Sequence, residues 1–280
     1  MKYKPKELPE NINVTPVKPL VNFAYLLGTV VVFGTSIYLV LGVIATQLAI
    51  RMSPQMEIKI GKQILATIPT VNTPDNLPQR QYLANLLAAL PQESLNHAVP
   101  LTVYIQKHEY PNAFIIPGGH IIFTTAFLAE AESENELAFV MAHEIGHHLH
   151  KDTLKGLGRS LVFLTVASAI GIGSGNADLV TFTGSIADLH YSRQQESAAD
   201  IYALSTMIDF YGHGNASLDF FKRIHTKNKD KSEKLNAYFS THPATQTRID
   251  NLNQFAQSKG WKMKGKITKL PERLFSQKTE

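Results

Sequence analysis

The chain has 280 residues, of which 44% are hydrophobic and 18% charged, with no cysteine and a formal net charge of +4. Without cysteine it forms no disulfide and offers no thiolate to a metal. A modest positive charge with no groove-reading motif beside it gives no ground for nucleic-acid binding.

Residues 1–20 form a short tail carrying Lys2, Lys4, Lys6 and Lys18. Between Lys18 and Arg51 no residue is formally charged, and 21–50 is rich in Leu, Val, Ile, Phe and Ala. About 20 such residues cross the hydrocarbon of a bilayer, so one transmembrane helix is predicted over 21–50. The apolar core of a cleaved signal peptide is shorter, about 7 to 15 residues, and begins nearer the N-terminus, so the segment reads as an uncleaved signal anchor. Four lysines precede it, against Arg51, Lys59 and Lys62 after it. The positive-inside rule then leaves the N-terminus in the cytoplasm and the following domain on the periplasmic side. Residues 51–75, with Pro54, Pro69 and Pro74, read as a hinge-like linker. The domain proper is expected over 76–258, long enough for a substantial core. Its first helix is signalled by Leu83, Leu86, Leu87 and Leu90 at helical spacing.

From 101 to 125 the pattern changes to short β-rich runs, 101–105, 115–116 and 120–124, separated by Pro-Asn and Pro-Gly-Gly turns. Ser133 and Glu136 then form a capping-box pattern ahead of Leu137, Phe139, Val140 and Met141, which predicts a helix over 134–151. Its apolar residues do not keep to one stripe, so the helix is expected to be buried. Within it lies His143-Glu144-Ile145-Gly146-His147. Residues four apart share a helix face, so His143 and His147 can bind one metal ion while Glu144 stands beside it as a general base for water. Gly146 costs a helix about 1 kcal/mol relative to Ala, and a close approach by another segment is a reason to keep it. No role is assigned to His148, His150 or Asp152.

A second apolar run, 161–172, is too short to span a bilayer and reads as a core or membrane-apposed helix, followed by a glycine-rich loop over 171–176. Ser192 with Gln195 opens another helix, running to about Tyr211 and closed by Gly212. Glu196 and Asp200 share one face of it. One carboxylate can bind a metal while the other accepts the free N–H of a ligand histidine. Farther on, Pro243 suits the first position of a helix reaching Ser258, which leaves His242 at its N-terminus. His242 has three readings: a donor to a developing oxyanion, a ligand filling the open metal position before substrate arrives, or a helix cap. Arg248 reads as an ion-pair partner of Asp200 or another acid. A basic tail, 259–280, completes the chain.

These segments together resemble the HtpX and CAAX prenyl endopeptidase superfamily of membrane-associated zinc metallopeptidases. The resemblance rests on Asn112-Ala113-Phe114 with Pro117-Gly118-Gly119-His120, on the His143 to His147 helix, on Glu196 to Asp200, and on His242-Pro243 with Arg248. It implies an α+β, mostly helical fold: a zincin-like metalloprotease domain with a small β-sheet beside the histidine helix, preceded by one transmembrane helix. It implies one zinc ion per chain on His143, His147 and Glu196, with Glu144 as catalytic base; of the three readings of His242, the catalytic oxyanion donor is placed first. Asp200 and Arg248 then support the ligands from behind, and Pro117, Gly118, Gly119 and His120 border the substrate, a strand edge being able to take an extended peptide. The implied substrates are proteins or peptides, unfolded or close to the membrane, and the implied role is protein quality control. A contrasting reading, a catalytically silent zinc-binding membrane scaffold, leaves Glu144 without a purpose.

Overall fold

Proline suits the first turn of a helix, where its fixed φ and missing N–H cost least. In this computed structural model, which describes residues 18–68, 76–91, 98–169, 190–219, 222–223, 242, 246–271 and 275, Pro19 starts α1 (Pro19–Arg51). Among the described residues α1 alone is long and apolar enough to cross a membrane. It is exposed through residue 40, then turns one face of small residues, Gly42, Ala45, Thr46 and Ala49, into the molecule.

Pro54 starts α2 (Pro54–Leu65) behind Ser53, whose hydroxyl accepts from the Met56 N–H. This helix lies inside the stretch expected to be a linker. Its first proline opens the helix instead of breaking it, and Glu57, Gly61 and Ile64 recur at helical spacing on a buried face. A Cβ on Gly61 would fall 1.9 Å from the Pro117 carbonyl oxygen, so α2 is seated directly on the Pro-Gly-Gly turn.

α3 (Leu77–Ala89) buries Leu83, Leu86 and Leu87 against the sheet. The sheet has three strands, β1 (Thr102–Gln106), β2 (Ala113–Ile116) and β3 (His120–Thr124), in the order β1-β3-β2. β3 runs parallel to β1 and antiparallel to β2. The β2–β3 turn needs positive φ at Gly118 and Gly119, 81° and 77°, a region that only glycine reaches without strain. β2 therefore lies at one edge of the sheet, and α5 packs on it.

After the short α4 (Thr125–Glu130), Ser133 caps α5 (Glu134–Leu149) by accepting from the Glu136 N–H at 3.2 Å. The reciprocal half of the expected capping box is absent: the Glu136 carboxylate accepts from the Glu132 N–H and pairs with Arg223. Every residue from Asn135 to His147 is buried, as the missing polar stripe implied. The tail expected from 259 returns to this helix, Thr268 accepting from the Glu134 N–H and donating its own N–H to Asn135. The free N–H groups of a buried helix start need such acceptors.

α6 (Asp152–Ala169) runs back along α1, and α7 (Arg193–Tyr211) crosses α5. α7 has the full Ser192–Gln195 capping box and ends at Gly212 with φ 74°. α8 (Gln246–Ser258) packs on α7. The glycine-rich loop over 171–176, the start of the last helix at Pro243, and residues 1–17 lie outside the described residues.

A Cβ on Gly146 would lie 2.9 Å from the Ala199 Cα, so α5 and α7 touch backbone to backbone between the two functional helices. Gly146→Ala should therefore destabilise the protein by about 1–3 kcal/mol through overpacking, despite the higher helix propensity of Ala. A denaturant midpoint equal to or above that of the wild type would contradict this contact.

Candidate metal centre

The crossing of α5 and α7 brings four ligand atoms together. His143 and His147 from α5, Glu196 from α7 and His242 each present one donor, all within 4.8 Å of one another and all buried. The two α5 imidazoles meet at their Nε2 atoms, 3.1 Å apart. His242 Nδ1 lies 3.3 Å from His143 Nε2 and 2.9 Å from Glu196 Oε1, which is 3.4 Å from His147 Nε2. Donors about 2.0–2.1 Å from a tetrahedral ion sit about 3.3–3.4 Å from each other. The spacings fall around that value.

Each α5 imidazole is oriented from behind by a carboxylate. Asp200 Oδ1 lies 3.0 Å from His143 Nδ1, and Asp152 Oδ2 lies 3.1 Å from His147 Nδ1. With each Nδ1 facing a carboxylate, neutral rings would turn lone pairs toward each other at Nε2. That arrangement is repulsive without a cation between them.

Charge leads to the same conclusion. Burial disfavours the charged form of Glu196, but His242, His147 and His143 outweigh it and hold its carboxyl far below the usual range. Burial likewise acts against Asp200 and is overcome by Arg248 and His143. The Arg248 guanidinium donates to both Asp200 oxygens at 2.7 and 2.8 Å and reaches Glu196 Oε2 at 2.6 Å. With the imidazoles neutral, as metal ligation requires, the buried carboxylates of Glu144, Asp152, Glu196 and Asp200 have one guanidinium and one half-buried lysine, Lys155, beside them among the described residues. A divalent cation supplies the missing positive charge, and imidazole with carboxylate is a donor set suited to zinc.

Glu144 stands beside the cluster. It is fully buried, neither carboxylate oxygen has a hydrogen-bond partner among the described residues, and burial lifts its pKa to about 7. His242 Nε2 is 3.5 Å from its Oε1. Burial lowers the pKa of His143 and His242. His147 differs, since the Asp152 and Glu196 carboxylates overcome burial and raise it to about 9.

Two participants were not singled out in the sequence. Asp152, given no role above, lies just beyond the end of α5, and the chain folds back to it through Lys151 at φ 54°. Tyr191 stacks on His147 with ring centroids 4.0 Å apart and planes 15° from parallel, and its hydroxyl pairs with Thr153. Its place immediately before the Ser192 cap is the only trace it leaves in the sequence. Pro117, Gly118, Gly119 and His120 are buried, the first two against α2 and Gly119 against Pro100, and both ring nitrogens of His120 lack a partner among the described residues. The part of the sheet nearest Glu144 is instead β2, where Thr153 donates to the Ile115 carbonyl at 3.1 Å.

The sequence profile of peptidase family M48 matches residues 78–256. The chain belongs to peptidase family M48. Among relatives, a Vibrio cholerae protein named as a beta-barrel assembly-enhancing protease is 30% identical over 204 residues, 68% of this chain and 41% of that protein. The mitochondrial metalloendopeptidase OMA1 of Schizosaccharomyces pombe is 25% identical over 199 residues, 69% of this chain and 58% of its own length. An HtpX protease homologue of Acidiphilium cryptum is 28% identical over 201 residues, 56% of this chain and 69% of that protein. The chain spans less than two thirds of the first two. The matched region contains the buried cluster, whose four ligand atoms fit a metal ion.

The carboxylate behind His147 carries an expected result of its own. Asp152→Asn should weaken metal binding by about 10–100-fold, the usual effect of losing such a partner. Competition with a chromogenic chelator measures it, and unchanged affinity would mean that Asp152 does not orient His147.

Proposed function

We propose that this M48 peptidase is a membrane-anchored, zinc-dependent endopeptidase, with His143, His147 and Glu196 as zinc ligands and Glu144 as general base. The observation that carries the reading is Glu144 itself, a buried carboxyl without a side-chain hydrogen-bond partner among the described residues, placed against four converging ligand atoms. A structural zinc site or silent scaffold has no use for such a group, whose burial is unfavourable unless it has work to do.

A bound zinc ion would act as a Lewis acid, polarising the scissile carbonyl and lowering the pKa of water. Glu144 accepts the proton from the attacking water and returns it to the departing amine nitrogen. A carboxyl whose pKa lies near the working pH can do both. Asp200 and Asp152 hold the two α5 imidazoles in the tautomer that leaves Nε2 free to ligate. Arg248 holds Asp200 and Glu196 in place from the far side.

His242 offers Nδ1 to the cluster, and in this arrangement fills the fourth corner. A catalytic site keeps that corner open. Of the three readings of His242, the geometry supports the occluding ligand, and the imidazole must leave the corner before it can donate to an oxyanion. Residues 76–258 form the peptidase domain on this reading and α1 its anchor. The domain lies on the periplasmic side and acts in quality control on unfolded or membrane-proximal proteins.

The test uses the full chain in vesicles with an unfolded protein such as casein. Cleavage within the casein chain should stop on chelation and return with one equivalent of zinc. A folded, zinc-loaded protein that releases no peptides would refute the protease reading, and intact cells whose domain resists added protease would refute the topology.

A further inference from the structure

The membrane anchor and the zinc helix are joined by contacts that the proposed chemistry does not use. Lys151, at the end of α5, donates through Nζ to the carbonyls of Ile50 and Met52 at 3.2 and 2.8 Å, at the last turn of α1. Seven residues on, Gly158 of α6 meets Ala45 of α1 so closely that an added Cβ would lie 3.3 Å from the alanine Cβ. Residue 151 beside 50–52 and residue 158 beside 45 make the two helices antiparallel neighbours, one step forward on α6 matching one step back on α1. α6 stays helical to Ala169. Its last turns are therefore level with residues 34–43 of α1, inside the segment that crosses the bilayer.

The sequence of α6 changes character at that level. Lys155 and Arg159 are its last charges, and Ser160 to Ala169 is an uncharged run of ten residues, Ser-Leu-Val-Phe-Leu-Thr-Val-Ala-Ser-Ala. At 1.5 Å per residue it is about 15 Å long, half of a hydrocarbon core of about 30 Å. Leu161 is 50% exposed, and on the adjoining part of α1 Val43 and Leu48 are 62% and 65% exposed. Beside these helices lies an open cavity of about 600 Å³, lined by Thr46, Ile50, Lys155, Arg159, Tyr191 and Gln195 among others and by none of the four metal-ligating side chains. Tyr191 is the residue stacked on His147.

We propose that α6 enters the same bilayer leaflet as α1, with Arg159 and Lys155 at the headgroup level, residues 160–169 in hydrocarbon, and the open cavity beside Tyr191 at the lipid surface. The partner of this face is the bilayer itself. Helix is the form in which a half-inserted segment satisfies its own backbone polar groups, and the cationic side chains mark where the water begins. The consequence for the enzyme is access: a segment leaving the membrane reaches the cavity before it reaches bulk water.

This inference rests on α1 being a membrane span, and the experiment separates the two. The chain lacks cysteine, so single substitutions Val31→Cys, Leu161→Cys, Thr165→Cys and Asn253→Cys in the 280-residue chain can each carry one bimane fluorophore. Each labelled protein, checked for bound zinc equal to wild type, is placed in vesicles of phosphatidylcholine with a minority of phosphatidylglycerol. Lipids bearing a nitroxide on the acyl chain should quench the label at 31 strongly, at 165 clearly, at 161 less and from a shallower nitroxide, and at 253 not at all. Quenching at 31 without quenching at 161 or 165 would place α6 outside the bilayer and overturn the proposal. Absence of quenching at 31 would overturn the anchor reading and the proposal with it. Because Leu161 is already exposed, its replacement tests the idea even if Thr165→Cys fails to fold.

Discussion

Glu144→Gln should lower the rate of peptide hydrolysis by roughly 10²–10⁴-fold, the range typical of losing a positioned general base, while the protein keeps its zinc and its fold. Glutamine has almost the same shape, so the cavity beside the ligands stays filled. It cannot take up a proton, so water loses its acceptor and the leaving amine its donor. The comparison needs kcat from peptide release, zinc content after dialysis, and thermal unfolding. A further signature distinguishes the base from a packing residue. Burial raises the pKa of Glu144 from 4.5 to about 7 in the metal-free centre. A raised folded-state pKa means that the contribution of this group to stability is full below about pH 4.5 and is lost as pH rises toward 7. The metal-free wild type should thus lose stability across that window relative to Glu144→Gln, which has no such group. Retained activity in the glutamine variant, with zinc in place, would remove Glu144 from the mechanism.

The parts of this architecture that could be read in advance are those written in local spacing. His143, Glu144 and His147 occupy one turn of one helix, and Ser133 marks where that helix starts. Glu196 and Asp200 follow the Ser192 cap in the same way. Gly146 announced the contact with Ala199, since a glycine inside a helix invites a reason. Asp152 escaped because it joins the site through a turn at Lys151 and not through helical periodicity. Residues 51–75 read as linker from their prolines, yet Pro54 stands in the first turn of α2, the helical position that suits it. Its docking on Gly118 depends on Gly61, a residue whose meaning emerges only when the two segments meet. The antiparallel pairing of α1 with α6 lay out of reach for the same reason. His242 is a different case. The residue was legible as a site candidate, but which ring nitrogen faces the cluster is a matter of orientation, and three roles follow from one position in the chain.

Glu196→Gln should separate ligation from base catalysis. Its carboxylate lies 2.9 Å from His242 Nδ1, 3.4 Å from His147 Nε2 and 3.6 Å from His143 Nε2, and its pKa is held so low by these neighbours that it is ionised at every working pH. An amide keeps one oxygen in nearly the same place but brings no charge to balance a dication. Zinc affinity should therefore fall by more than the roughly 100-fold upper range for losing an outer hydrogen-bond partner, and activity at limiting zinc should fall with it. The fold should suffer less than the removal of one member of a buried ion pair usually implies, because Arg248 keeps both of its bonds to Asp200. Excess zinc should restore part of the activity of Glu196→Gln and none of that of Glu144→Gln. That contrast is the decisive measurement: a Glu196→Gln protein that binds one zinc as tightly as wild type would move the third ligand to His242, and with it the corner of the site left for water.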